Sequence, residues 1–155
     1  MSTEPHGHEL PILLLAAFRT VIDELHAGLA EVGHPDARPL HGFVLQALGP
    51  HGVSSSELAR RLGVTKQGAA KHVHTLERLG YVEVTPDPTD ARSRLIRPTP
   101  RGVDLIVASA RVLDTLRARW RQRLGSDRLG PLLADLTKLA ATDGTGTDVL
   151  GWLGA

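Results

Sequence analysis

The stretch "SSSELARRLGVTKQGAAKHVHTLERLGY", Ser54 to Tyr81, constrains the fold of this chain more than any other. Ser54 offers an N-cap, and Glu57 stands three residues on, where a capping box would close. The helix so opened covers about Ser55 to Leu62 and stops at Gly63. Thr65 caps a second helix, which Gly80 terminates. Two short helices with only a Gly-containing turn between them form a helix-turn-helix candidate. Around the second helix, at about 100° per residue, Ala69, Val73 and Leu76 cluster on one side, with Ala70 and Leu79 at its margins. Gln67, Lys71, His74, Thr75 and Arg78 lie opposite, while Glu77 falls at the edge of the apolar side. That outward face holds cations and hydrogen-bonding groups with no acid. Lys and Arg neutralise phosphates, and Gln and Lys can bond base edges in a major groove. Gly68, Ala69 and Ala70 keep the N-terminal half slim enough for close backbone approach.

The next segment strengthens this reading. Tyr81 to Thr85 reads as a strand, "PDPTDARS" as polar and turn-rich, and Arg94 to Arg97 as a second strand, giving a two-stranded hairpin with a long tip. Helix, helix, hairpin is the order of a winged helix. Arg92 and Arg94 are two apart and share a face if the strand already runs there. Asp90 could brace the Arg92 guanidinium by a charge-assisted hydrogen bond. An Arg in a narrow minor groove gains from its enhanced negative potential.

The flanks are helical. Leu14, Phe18, Val21, Ile22, Leu25, Leu29 and Val32 repeat at helical spacing within Leu10 to Val32, which Gly33 ends. A connector closing at Pro39 leads to a short helix from about Leu40 to Leu48. Thr99 and Pro100 form an N-cap and N1 pair. They open a long helix, apolar at Val103, Ile106, Val107, Ala110, Leu113, Leu116, Trp120 and Leu124, which stops at Gly125. Ser126 opens a last helix to about Ala141. "TDGTGTD" is a flexible linker to the short apolar tail "VLGWLGA". The whole, 1–155, is expected to be one mainly α domain. Residues 40–99 form its winged helix-turn-helix core with a small two-stranded β wing, 9–33 and 99–141 its dimerisation helices, and 142–155 a flexible tail.

Charge is unevenly placed. Residues 54–101 hold nine Lys and Arg against five acids, net +4, whereas residues 1–53 are net −4. A basic middle suggests that the middle meets a polyanion. The chain has no Cys, which removes disulfides, thiolate metal sites and cysteine nucleophiles together. The longest apolar run, Ile12 to Phe18, is too short to cross a bilayer. No basic segment precedes it as a secretory signal would require, so a cytoplasmic protein with no membrane partner is expected.

The run from Ser54 to Gly102 resembles the winged-helix core of the MarR family of bacterial transcription regulators. Glu57-Leu58-Ala59 and Leu62-Gly63-Val64 resemble the family's first helix and turn. Leu76-Glu77 and Leu79-Gly80-Tyr81-Val82 resemble the end of its recognition helix and the strand after it. Asp87-Pro88 and Asp90-Ala91-Arg92 resemble its wing signature, and Thr99-Pro100 with Gly102 the opening of its long dimer helix. The resemblance implies a homodimer that binds double-stranded DNA at a pseudo-palindromic operator, often as a repressor relieved by a small-molecule effector. It places Lys66, Gln67, Lys71 and Thr75 at recognition-helix contact positions, Ser55 and Ser56 at the phosphate-facing start of the preceding helix, and Arg92 at the wing. With Thr65, His74 and Arg94 from the helix and hairpin patterns, these are the candidate DNA-binding residues. The chain departs from the family at Ala70, where many relatives carry Ser or Thr. It departs again at Val84 and Thr85, near which a basic residue is common, and at Pro98, expected to shorten the hairpin. Phe18, Ile22, Phe43 and Trp120 are candidates to line an effector pocket between winged helix and dimer helices, or else are core.

Other features yield less. His6 and His8, and His72 and His74, suggest metal, but the second pair lies roughly 160° apart around a helix and cannot chelate one ion. No metal or cofactor is expected. Arg117, Arg119, Arg121 and Arg123 read as a solvated helix flank that suits the dipole of the helix C-terminus, or else as a site for an anionic ligand. No phosphate loop, paired acids or supported nucleophile appears, so no catalytic residue is assigned and no enzyme is expected. The alternative is a winged-helix module that binds protein and no DNA; it would need large apolar anchors on the outward face of the second helix, where Gln, Lys, His, Thr and Arg stand instead.

Overall fold

The computed structural model describes residues 7–140. Six helices and a small sheet follow in the order α1 (Glu9–Glu31), α2 (Pro39–Leu48), β1 (Val53–Ser54), α3 (Ser55–Leu62), α4 (Lys66–Arg78), β2 (Val82–Asp87), β3 (Asp90–Pro98), α5 (Pro100–Leu124) and α6 (Ser126–Ala140). This is the mainly α, winged helix-turn-helix architecture that the sequence predicts. The tail residues Val149, Leu150, Trp152 and Leu153, and His6, lie outside the described residues.

The caps act where their residue types place them. The Thr65 hydroxyl accepts from the Gly68 amide and the Thr99 hydroxyl from the Gly102 amide. The Ser54 hydroxyl accepts from the Glu57 amide. The capping box does not close, however. The Glu57 carboxylate accepts from Arg60 and Arg61 on its own helix instead, because two guanidinium groups one turn on outcompete a single backbone amide.

Leu58 and Leu62 of α3, Leu76 of α4, Tyr81, Ile96 and the α2 face of Val44, Leu45 and Leu48 form one buried cluster, closed by Leu29 of α1 and Leu105 of α5. Each such Leu removed from water contributes about 1.5–3 kcal/mol. This shared core locks α4 against α3 and leaves its opposite face free.

Three details differ from the expectation. The sheet has three strands, in the order β1-β3-β2. Val53 pairs with Ile96 and Ser54 with Leu95; two residues are too few to show alternation, so this edge strand left no pattern in the sequence. The wing also has a short turn in place of a long tip. Its strands run on to Asp87 and Asp90, with a register shift at Pro86/Asp87. The Asp87 carboxylate accepts from the backbone amide and the hydroxyl of Thr89, an Asx turn that tightens the reversal. Pro98 does not shorten the hairpin: it is the last paired residue of β3, opposite Val82, at a strand end that tolerates a missing donor.

Candidate nucleic-acid interface

The face of α4 away from the core is open. Lys66, Gln67, Lys71, His74 and Arg78 are exposed, whereas Ala69, Val73 and Leu76 are buried. Thr75 is half-buried, and its hydroxyl donates to the Lys71 carbonyl, so it can offer an incoming group only its remaining acceptor lone pair. Thr65 stands exposed at the N-cap. Ser55 and Ser56 are exposed in the first turn of α3. There the leading backbone N–H groups of a helix lack intrahelical acceptors and favour an anion.

On the wing, Arg92 and Arg94 are both exposed and lie two residues apart within β3. Asp90 does not brace the Arg92 guanidinium as the spacing suggested. Its carboxylate accepts from the Arg92 backbone amide, at 3.0 Å, because the tight turn directs that amide back at it. Among the described residues, no acid lies within ion-pair distance of Lys66, Lys71, Arg78, Arg92 or Arg94, whereas Arg60, Arg61 and Arg101 are paired with acids. The α4 face and the wing therefore present cations whose charge is not already matched.

Two groups escaped the sequence reading. Arg61 donates to the Ala47 carbonyl at 2.8 Å as well as to Glu57, tying α3 to the end of α2. The hydrogen bonds from Arg60 and then Arg61 hold the Glu57 carboxyl down at about 2. The second is a polar cluster of His34, Asp36, Tyr81, Arg101 and Asp104, whose members are scattered over seventy residues and carry no local signal.

Among the described residues, Phe43 and Trp120 line separate cavities. Phe43 lines a space of about 50 Å³ with Leu25, Leu29, Arg38, Leu105 and Ser109. Trp120 lines another, of about 410 Å³, with Arg123, Leu124 and Leu132. Phe18 and Ile22 line neither. Among the described residues, no three of His, Asp and Glu gather to hold a metal, and no helix is long and apolar enough to cross a membrane.

Fold and site together define a winged helix-turn-helix protein with a cationic recognition face. Residues 38–93 match the model of the MarR family. No curated protein sequence matches the chain. Among solved structures, FabT of Streptococcus pneumoniae in complex with DNA is 18% identical, with a TM-score of 0.73, over 86% of this chain and 94% of that one. The transcriptional repressor CouR, bound to a 23-mer DNA duplex, is 24% identical, with a TM-score of 0.67, over 89% and 99%. The transcriptional regulator Tm0710 from Thermotoga maritima is 26% identical, with a TM-score of 0.56, over 85% and 92%.

Proposed function

We propose that this chain is a sequence-specific, DNA-binding transcription regulator that acts as a homodimer on a pseudo-palindromic operator. The observation that carries the reading is the α4 face: Lys66, Gln67, Lys71, His74 and Arg78 stand exposed on one helix whose other side is locked into the core. Lys66, Lys71 and Arg78 neutralise phosphates, while Gln67 and Lys71 reach base edges in the major groove. Ser55 and Ser56 meet the flanking phosphates, and Arg92 and Arg94 enter the adjacent minor groove or its rim. FabT and CouR, which share the fold, were solved with DNA, which supports the same use of this surface.

What the monomer leaves uncovered supports dimerisation. Leu10, Ile12, Leu13, Leu14, Leu15 and Phe18 of α1 are exposed, as are Leu132, Leu133, Leu136 and Leu139 of α6. Apolar patches on this scale are rare on monomers. A second copy covers them and sets the two α4 helices about one DNA turn, roughly 34 Å, apart. Repression with relief by a small effector is the regulatory mode that fits.

Genomic DNA captured by the protein and sequenced tests the reading, followed by a salt titration on the enriched site. A recurring inverted repeat is expected, with log K falling steeply against log salt. No enriched sequence, or an affinity indifferent to salt, overturns it in favour of a protein-binding module.

A further inference from the structure

The polar cluster around Tyr81 joins three parts of the fold. His34 and Asp36 belong to the α1–α2 connector, Tyr81 follows the end of α4, and Arg101 and Asp104 stand in the first two turns of α5. His34 and Tyr81 are buried. His34 is anchored through its backbone amide, which donates to the Leu29 carbonyl at 2.9 Å. Its ring meets Tyr81 Oη through Nδ1 at 3.2 Å and Asp104 Oδ2 through Nε2 at 2.9 Å. Tyr81 in turn donates to Asp36 Oδ1 at 2.6 Å. Arg101 donates to both Asp36 oxygens, reaches the Tyr81 hydroxyl and lies over its ring at 4.7 Å.

The donors and acceptors in this cluster can be counted. A carboxylate only accepts, so Nε2 must donate to Asp104. The phenol has one hydrogen. Burial first, and then the Asp36 carboxylate, push the phenol up to about 12, so it keeps that hydrogen. Asp36 is held below the usual carboxylate range, chiefly by the Tyr81 hydrogen bond, so it remains the acceptor. With the phenol hydrogen committed to Asp36, Tyr81 Oη faces His34 with a lone pair, and Nδ1 must also donate. Both contacts are then made together only by a ring that carries a hydrogen on each nitrogen, the imidazolium. A neutral ring leaves one of these buried contacts without a hydrogen and lets the chain from α5 to the end of α4 open at that point. The ionisable and polar groups facing His34 are Asp36 on its own connector, His41 of α2 beyond the Tyr81 ring at 6.5 Å, Tyr81, and Arg101 and Asp104 of α5.

We propose that His34 is a proton-dependent positioning residue for DNA recognition: as the imidazolium it links Asp104 on the long helix to Tyr81 at the end of α4, and so fixes the recognition helix relative to the helices that pair the two copies. The inference rests on the DNA-binding reading for its consequence, but not for its structural content. Loss of the proton loosens the link and spreads the spacing of the two recognition helices, which a two-site operator tolerates poorly. Affinity for operator DNA should therefore be lower with the ring neutral than with it as the imidazolium, by roughly 5-fold or more.

Two measurements on the full chain test this. Long-range ¹H–¹⁵N spectra should show both His34 nitrogens protonated at pH 6, and backbone amides of Thr75 to Gly80 should shift with the same midpoint as the ring. Operator affinity is then followed from pH 6 to 8 in a His74→Gln background, which removes the exposed imidazole on the DNA-facing helix. His34→Gln and Asp104→Asn in that background should each flatten the profile. Asp104 is largely exposed, so its variant keeps the fold if His34→Gln does not. A singly protonated His34 at pH 6, α4 amides that ignore its titration, or an unchanged slope in Asp104→Asn overturns the proposal. If the parent chain binds no operator at any pH while its α4 amides still follow His34, the positioning link stands and the DNA-binding reading fails.

Discussion

Gly102→Ala is expected to strike the joint between the winged-helix core and the long helix. A Cβ at Gly102 would lie 2.1 Å from the Tyr81 carbonyl oxygen and 3.1 Å from its carbon, where ordinary contact begins at 3.4 Å. The obstacle is backbone, so no rotamer relieves it, and Tyr81 or α5 must retreat by roughly 1.3 Å. The Tyr81 carbonyl also accepts from the Thr99 amide at 3.0 Å, and the Tyr81 side chain sits in the His34–Asp36 cluster. Overpacking of this kind costs about 1–3 kcal/mol, and a weakened buried hydrogen bond adds roughly 1 kcal/mol. A total of about 2–4 kcal/mol corresponds to a Tm lower by roughly 5–15 °C for a chain of this size. Urea and thermal unfolding at one fixed protein concentration measure it, since the proposed pairing would make Tm concentration-dependent. Gly42→Ala is the control: its Cβ meets only the Ser109 hydroxyl at 4.0 Å, and a helical Gly replaced without strain should be stabilising by about 0.4–1 kcal/mol. A Gly102→Ala protein within about 0.5 kcal/mol of the parent, the range of an inconsequential surface change, would refute the reasoning.

Gln67→Ala should cost roughly 1–3 kcal/mol on operator DNA and much less on random DNA, whereas Arg92→Ala should weaken both more evenly; equal losses for Gln67→Ala on the two DNAs, measured by titration, reject its base-reading role. Light scattering should give about twice the chain mass down to low micromolar concentration, and a polar substitution such as Leu14→Glu on the exposed α1 face should split the pair; a monomeric parent would count against the proposed interface of roughly 2,000 Å². In a His34→Gln background, which removes the opposite proton dependence of the imidazolium link, stability should decline in mild acid. Burial first, then Arg38, holds the His41 imidazole below its ordinary 6.5, and burial first, then Lys71, does the same for His72. Below about pH 6.5 the unfolded chain therefore binds more protons than the folded one, so stability present at neutral pH is lost as pH falls through the lowered values. Urea midpoints that rise between pH 7 and pH 5.5 would contradict that sign.

The helices were legible in the sequence because their signals are local. Thr65, Thr99 and Ser54 cap the helices they precede, with Gly63, Gly80 and Gly125 following the last turns, and the α4 stripe of Ala69, Val73 and Leu76 faces the core as its spacing demands. The exposed face of α4 was legible for the same reason, since a helix with one buried side has its opposite side assigned. Only the tertiary structure decided the rest. The third strand is two residues that exist as strand because Ile96 and Leu95 lie beside them. Glu57 turned from its cap to Arg60 and Arg61, a competition that spacing alone does not rank. Phe43 and Trp120, alike as apolar helix residues, line different cavities because α2 and α6 meet α5 at different heights. The His34–Tyr81–Asp104 chain joins residues 47 and 70 positions apart. No periodicity encodes such a pairing, because the partners are chosen by how the connector, the strand and the long helix pack, and a buried donor takes whichever acceptor that packing brings within reach.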